Sequence, residues 1–301
     1  MTASRHSSPY QSRRSWLRQS GLAVAALILG PRSAFPLLWE NPRPNNTAQI
    51  SLTDAQEIAL GRRFAAAFEA EAPILTTPLI DQHLNQIVRE LAASGRRPTL
   101  PYRVKVINLP AVNAVSLPGG TIYVDRGMLE ILATEDELAA VLAHEIGHIV
   151  ARHALHQLAL TLQAQALLRP LIENLARQNQ AFEGILQHFG GAVALMARLA
   201  FSQHDELEAD RLGFYETLRA GWDPRGFLKL FTALEVTETT TSPTGPALLP
   251  THPPTPERAA AIERELASVT IPEDARTDSL EFRACKQALA LLGAHPLSPP
   301  G

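Results

Sequence analysis

Cysteine is almost missing from this 301-residue chain: Cys285 stands alone, so no disulfide can close within it and no cysteine-rich zinc site can be built. An excess of either charge is missing too. Lysine and arginine number 27 against 30 acids, a formal net charge of −3, which leaves no broad basic field to attract nucleic acid. Aromatics are sparse at 6%, and no internal repeat is visible, in particular none of tetratricopeptide type after residue 265. A clean membrane-spanning run is also lacking. Gly21 to Gly30 is too short, and Ile185 to Phe201 is interrupted by His188, Gly190-Gly191 and Arg198. The latter is expected to be a helix that covers the core or rests on a membrane surface. What the chain does have is apolar content, 46% of residues, enough for one sizeable core or two small ones.

The first 20 residues carry Arg5, Arg13, Arg14 and Arg18 and no acid, and the apolar run Gly21 to Gly30 follows, closed by Pro31-Arg32. A basic segment before a short apolar one is the layout of a secretion signal. Ten helical residues rise only about 15 Å, roughly half a bilayer core. Ser12-Arg13-Arg14-Ser15-Trp16-Leu17-Arg18 also resembles a twin-arginine export signal. Residues 1–35 therefore read as an export signal that delivers the chain to the periplasm or, if uncleaved, as an N-terminal membrane anchor. Residues 36–50, rich in Pro and Asn, read as a linker.

Apolar residues at helical spacing predict helices from Ser51 to Glu71 and from Thr77 to Ala93. Tyr102 to Asn108 alternates and is β-branched, so it reads as a strand. Ala111 to Ser116 and Thr121 to Asp125 read as two more, joined in a hairpin through Leu117-Pro118-Gly119-Gly120. Thr134 to Glu137 fits a capping box, opening a helix expected to run to about Arg169, where Pro170 stops it. Residues 171–200 are expected to be helical, as are 202–220, Pro224 to Val236, 257–268 and 279–292. Thr237 to Pro256, full of Thr and Pro, reads as a loop. The expected fold class is α+β, mainly helical, with one small sheet.

His144-Glu145-Ile146-Gly147-His148 is the segment with chemistry in it. Four positions apart on a helix, the two imidazoles lie one above the other and can reach one ion. Zinc favours nitrogen ligands, and a hydrolytic site needs three protein ligands and one open position. Glu145, turned about 100° from His144, sits beside that position, where it can take a proton from the attacking water. A third ligand three helical steps further along would require glycine and histidine where Ala151 and Ala154 stand, so that route fails. The other route runs through Glu206-Leu207-Glu208-Ala209-Asp210. Glu206 and Asp210 are one turn apart on one face, so one can bind metal while the other accepts a ligand histidine's free N–H. Glu208 points away from them, and His153 and His156 read as structural or solvent-facing.

His144 to His148, the preceding Glu135 to Val141, Asn113 to Gly120 and Ser202 to Asp210 together resemble the HtpX, BepA and CAAX-prenyl-protease family of zinc metallopeptidases, over about residues 50–265. The resemblance implies a gluzincin-type metallopeptidase domain, residues 51–270, with its active-site helix packed beside the small sheet; residues 271–301 remain as a C-terminal helix and tail. It implies one Zn2+ per chain held by His144, His148 and Glu206, with Glu145 as general base and Asp210 supporting a ligand histidine. His252, in Thr251-His252-Pro253-Pro254, has a family counterpart and is a candidate for stabilising the oxyanion or for occupying the open zinc position. Backbone pairing to an extended substrate makes Ala114, Val115, Ser116, Gly119 and Gly120 candidate substrate-binding residues. One departure is that Gln203 stands where the family usually has Arg after the serine. The expected activity is metalloendopeptidase action on exported or membrane-associated, misfolded polypeptides, with no nucleic-acid partner. The alternative is a chaperone or adaptor that binds polypeptide without cutting it. Association with a membrane surface is left open by the N-terminus, and the oligomeric state is not legible.

Overall fold

A computed structural model describes residues 52–160, 201–240, 252–253 and 255–294. The expected export segment 1–35, the expected linker 36–50, the expected helix end at Arg169-Pro170, the helical structure expected for 171–200 and residues 241–251 of the expected loop lie outside the described residues.

Helix α1 (Asp54–Glu69) opens with a true capping box: Thr53 Oγ1 accepts the Gln56 N–H at 3.3 Å and Gln56 Oε1 accepts the Thr53 N–H at 2.9 Å. Helix α2 (Pro78–Ala93) places Ile80, Leu84, Ile87, Val88 and Leu91 inward at helical spacing. The sheet comprises β1 (Ile74–Leu75), β2 (Arg103–Ile107), β3 (Ala114–Ser116) and β4 (Thr121–Asp125), in the order β1-β2-β4-β3. β2 and β4 are parallel and the other two pairs antiparallel. The expected hairpin is β3–β4, and its turn has Gly119 at φ 81° and Gly120 at φ 112°, a left-handed pair that residues with a Cβ rarely adopt. Two short elements escaped the periodicity reading: β1, and helix α3 (Arg126–Ile131), both too short for a period to register.

Helix α4 (Glu135–Val150) is the axis of the domain, buried at every residue from Glu135 to Ile149. The face of the sheet bearing Val104, Val106, Ile122 and Val124 shares one core with α2 and α4. On the opposite face α1 lies against Tyr123, with the Phe68 ring 4.6 Å away and the Tyr123 hydroxyl donating to Glu69. Helices α5 (Gln203–Arg219), α6 (Gly226–Thr240) and α7 (Pro256–Ser268) close round α4 from the other side. Helix α8 (Leu280–Ala294), from the segment read as C-terminal helix and tail, adds Phe282, Cys285 and Leu289 to that same core. The described residues are thus mainly helical with one small mixed sheet, the expected fold class. Among them no helix is long and apolar enough to cross a membrane.

Three local expectations need correction. Thr134 makes no side-chain cap: its hydroxyl donates to the Asp136 and Glu137 carboxylates, and Glu137 accepts the Ala133 N–H at 2.6 Å in place of the Thr134 N–H. α4 does not continue toward Arg169: it ends at Val150, and Arg152 takes φ 59° before a new helical stretch over 153–160. That break is held from outside, since the Arg152 guanidinium donates to Leu52 O at 3.1 Å and pairs with Asp54 and Glu57. Helix α6 runs to Thr240, past the Val236 expected for it and into the expected loop.

Candidate metal centre

The centre forms where α4 and α5 touch. Gly147 and Gly213 make that approach possible: a Cβ on Gly147 would sit 2.5 Å from Ala209 O, and one on Gly213 would sit 2.8 Å from the Ala143 carbonyl. Backbone therefore meets backbone, and short side chains bridge the helices. α5 is started by a second capping box, Ser202 Oγ accepting the Asp205 N–H while Asp205 Oδ2 accepts the Ser202 N–H and hydroxyl. This fixes the first turn, where Glu206 lies. Gln203, which stands where the family usually has Arg, is exposed on that turn.

His144, His148, Glu206 and His252 each offer a donor atom, and these atoms lie within 4.8 Å of one another. His144 Nε2 and His148 Nε2 are 3.0 Å apart, and each is 3.5 Å from a Glu206 oxygen. His252 reaches in from the segment before α7, its Nδ1 2.7 Å from Glu206 Oε1 and 3.2 Å from His144 Nε2. Glu145 is 1% exposed, its Oε1 3.6 Å from His252 Nε2 and its Oε2 without a hydrogen-bond partner among the described residues. Asp210 accepts from His144 Nδ1 at 2.8 Å, which leaves Nε2 as the lone-pair nitrogen aimed at the cluster.

Two facts of this donor set fit a divalent cation. Two imidazole nitrogens face each other at 3.0 Å with a Glu206 oxygen 3.5 Å from each, close enough for all three to converge on one ion. Around them, the carboxylates of Glu145, Glu206 and Asp210 face one guanidinium, Arg258, an excess of negative charge that a doubly charged ion would balance. Three imidazoles and a carboxylate are borderline donors of the kind zinc prefers.

The same charges set the protonation preferences. Burial works against a charged His144, yet its bonds to Asp210 and Glu206 reverse this and lift it to about 9. Burial also holds His148 well below the ordinary histidine value, aided by the neighbouring charge of His144 and His252. Burial would raise Glu206 and Asp210, but the opposite charges nearby win: His252 and the histidine hydrogen bonds pull Glu206 far down, and Arg258 pulls down Asp210.

Three residues of the site were not picked out from the sequence. Arg258, on α7, grips Asp210 with Nε and Nη2, both at 2.7 Å, and reaches Glu206 and the His252 and Pro253 carbonyls through Nη1. The one available signal was indirect, since several acids converging in a core require a cation. Phe201 stacks on His148 with ring centroids 4.2 Å apart and has no signature in the sequence. His153, read as structural or solvent-facing, is buried and lies with its Nδ1 2.9 Å from His148 Nδ1. Glu208 lies outside the donor set with its side chain partly exposed, as expected, while its carboxylate reaches His153 Nε2 at 3.3 Å.

Of the substrate-binding candidates, Ala114, Val115 and Ser116 form the edge strand β3, next to a small cleft running between Ser116 and His148. Ala114 and Ser116 are buried and Val115 is half-buried, and Gly119 and Gly120 are buried in the turn. Gly119 donates its N–H to Glu57 and lies against Ile58, and Gly120 backs onto Pro101, so both are buried and present no open surface to a chain.

The sequence matches the family model described as Peptidase family M48 over residues 78–266. It is similar to the beta-barrel assembly-enhancing protease of Yersinia pestis, 28% identical over 290 residues, covering 91% of this chain and 58% of that protein. The protein of the same name in Escherichia coli (strain K12) is 28% identical over 235 residues, 75% of this chain and 47% of its own. The mitochondrial metalloendopeptidase OMA1 of Schizosaccharomyces pombe is 32% identical over 191 residues, 63% of this chain and 54% of its own. The chain thus spans about half the length of these relatives.

Proposed function

Because the chain belongs to peptidase family M48, whose match takes in both helices that meet at the four donors, we propose that it is a zinc metalloendopeptidase with one zinc ion per chain. In this reading His144, His148 and Glu206 hold the ion and Glu145 is the general base. The observation that carries it is the convergence of Glu206 with the two imidazoles from a helix 58 positions further along the chain, within 3.5 Å of both.

Zinc, when bound, supplies an electrophile that polarises the scissile carbonyl and acidifies the attacking water. The protein does the rest. Glu145, buried beside the donors with one oxygen unpaired, takes the proton from that water and later delivers it to the leaving amine. Asp210 and Arg258 hold His144 in one tautomer and one orientation. β3 offers the backbone edge along which an extended substrate pairs, largely without regard to its sequence. Substrates are proposed to be exported or membrane-associated, misfolded polypeptides. Two named relatives support this, one a protease of β-barrel assembly and one a mitochondrial endopeptidase. Export through residues 1–35, to the periplasm or to a membrane anchor, belongs to the same reading.

The test is metal analysis with a casein or peptide cleavage assay. The full chain is expected to carry one zinc, to lose cleavage in a strong chelator and to regain it on adding zinc. Cleavage that survives complete zinc removal would end this reading.

His252 sits against Glu206 and His144, with its Nε2 facing the Glu145 carboxylate. The reading is that it occupies the open position and keeps the centre closed. His252→Ala is then expected to raise peptide turnover or autolysis several-fold with zinc content unchanged. A fall in kcat would assign it to oxyanion stabilisation instead, and no change in either would remove it from the site.

A further inference from the structure

We infer that His153 is a positioning residue for the zinc centre, fixing the tautomer and direction of His148 and tying that histidine to the helix that carries Glu206. The inference rests on the ligand assignment proposed above. His148 Nε2 faces His144 Nε2 at 3.0 Å and Glu206 Oε1 at 3.5 Å, so Nε2 is the nitrogen directed at the ion. A ligating nitrogen must keep its lone pair free, which puts the His148 proton on Nδ1. That Nδ1 is 2.9 Å from His153 Nδ1, so His148 donates and His153 accepts. His153 must then carry its own proton on Nε2, which faces Glu208 Oε2 at 3.3 Å and Asp205 Oδ1 at 3.5 Å. Each hydrogen bond thus fixes the direction of the next, from the ion out to a carboxylate.

Asp205 gives the chain its second purpose. Its other oxygen, Oδ2, caps α5 by accepting from the Ser202 N–H and hydroxyl, one residue before Glu206. Through His153, the ligand His148 on α4 is therefore tied to the first turns of α5, by a hydrogen bond to Glu208 and with the capping carboxylate of Asp205 3.5 Å away. His144 is supported differently, directly by Asp210 with Arg258 behind it. The two ligand histidines thus have unlike supports, one backed by a charge and the other by a neutral ring.

The backbone builds this contact deliberately against helical geometry. On an unbroken helix His153 would lie about 140° round from His148 and could not touch its ring. The end of α4 at Val150 and the left-handed Arg152 turn the chain back, and His153 packs 1% exposed against His148, their ring centroids 4.9 Å apart.

Zinc affinity of the full chain, read by competition with a chromophoric chelator, tests this together with the visible spectrum of the cobalt-substituted protein. His153→Leu fills the space but cannot accept, and is expected to weaken zinc binding about 10–100-fold and to alter the cobalt bands. His153→Asn keeps an acceptor near the position of Nδ1 and is expected to restore affinity to within a few-fold of wild type, with the wild-type cobalt spectrum. A merely structural role would not separate these two variants. If wild type binds zinc and His153→Leu binds it equally well, or if Asn fails as badly as Leu, the ligand assignment stands and this inference falls. A wild-type chain that takes up no zinc overturns both.

Discussion

Glu145→Gln is expected to lower kcat for peptide hydrolysis by about 10²–10⁴-fold while leaving one zinc per chain. The substitution keeps size and shape and removes the ability to accept a proton. It is a clean change because of what surrounds the side chain. Glu145 is 1% exposed, and among the described residues one of its oxygens has no hydrogen-bond partner and the other faces His252 at 3.6 Å, so the carboxylate carries no structural hydrogen bond among them. Substrate binding should change little, so the loss belongs in kcat and not in KM. The measurement is steady-state cleavage of a fluorogenic peptide, with zinc content determined on the same preparations. Turnover as fast as wild type would remove Glu145 as the base. The comparison also separates a protease from a binder that does not cut, since a binder has no activity for the substitution to abolish.

How much of this was legible beforehand depended on how local the cause was. The pair of histidines one turn apart, the acids one turn apart on α5 and the hairpin around Gly119-Gly120 follow from short spacings, and a single sequence displays such spacings directly. Their meeting follows from two glycines: Gly147, inside the histidine segment itself, and Gly213 let the helices touch at the backbone. The illegible parts were set by distant partners. Nothing in Ala151-Arg152-His153 announces a helix end, because the strained turn at Arg152 is stabilised by Leu52, Asp54 and Glu57 about a hundred positions earlier. The burial of His153 depends on that turn, so a continuous helix left open whether it was structural or solvent-facing, and the turn makes it structural. Thr134 shows the same limit on a smaller scale, where a capping pattern was present but the glutamate took the Ala133 N–H instead.

Arg258→Met is expected to destabilise the fold by about 3–5 kcal/mol, the cost of removing one partner from a buried ion pair. That is a large part of a total stability of roughly 5–15 kcal/mol for a domain. Methionine replaces the stem of the arginine but not the fork. It leaves the Asp210 carboxylate, 1% exposed, without its two strongest bonds, and the His252 and Pro253 carbonyls without a donor. The pH dependence distinguishes this cause from lost packing. In the wild type, Arg258 holds Asp210 below its ordinary value of 3.8, so the pair stabilises fully above that value and less as pH falls through the lowered one. In the variant that hold is lost and burial is opposed by the His144 contact alone, so Asp210 sits higher than in the wild type and the folded state takes up a proton at higher pH. The deficit against wild type should therefore be greatest near neutral pH and shrink as pH falls toward the ordinary carboxylate range. Urea unfolding of both full chains in chelator at several pH values measures it, the chelator keeping zinc binding out of the comparison. A deficit that is constant with pH would make Arg258 a packing residue, and with it would go the idea that this guanidinium, six positions beyond His252 on the far side of the loop, is what allows Asp210 to stay charged beside His144.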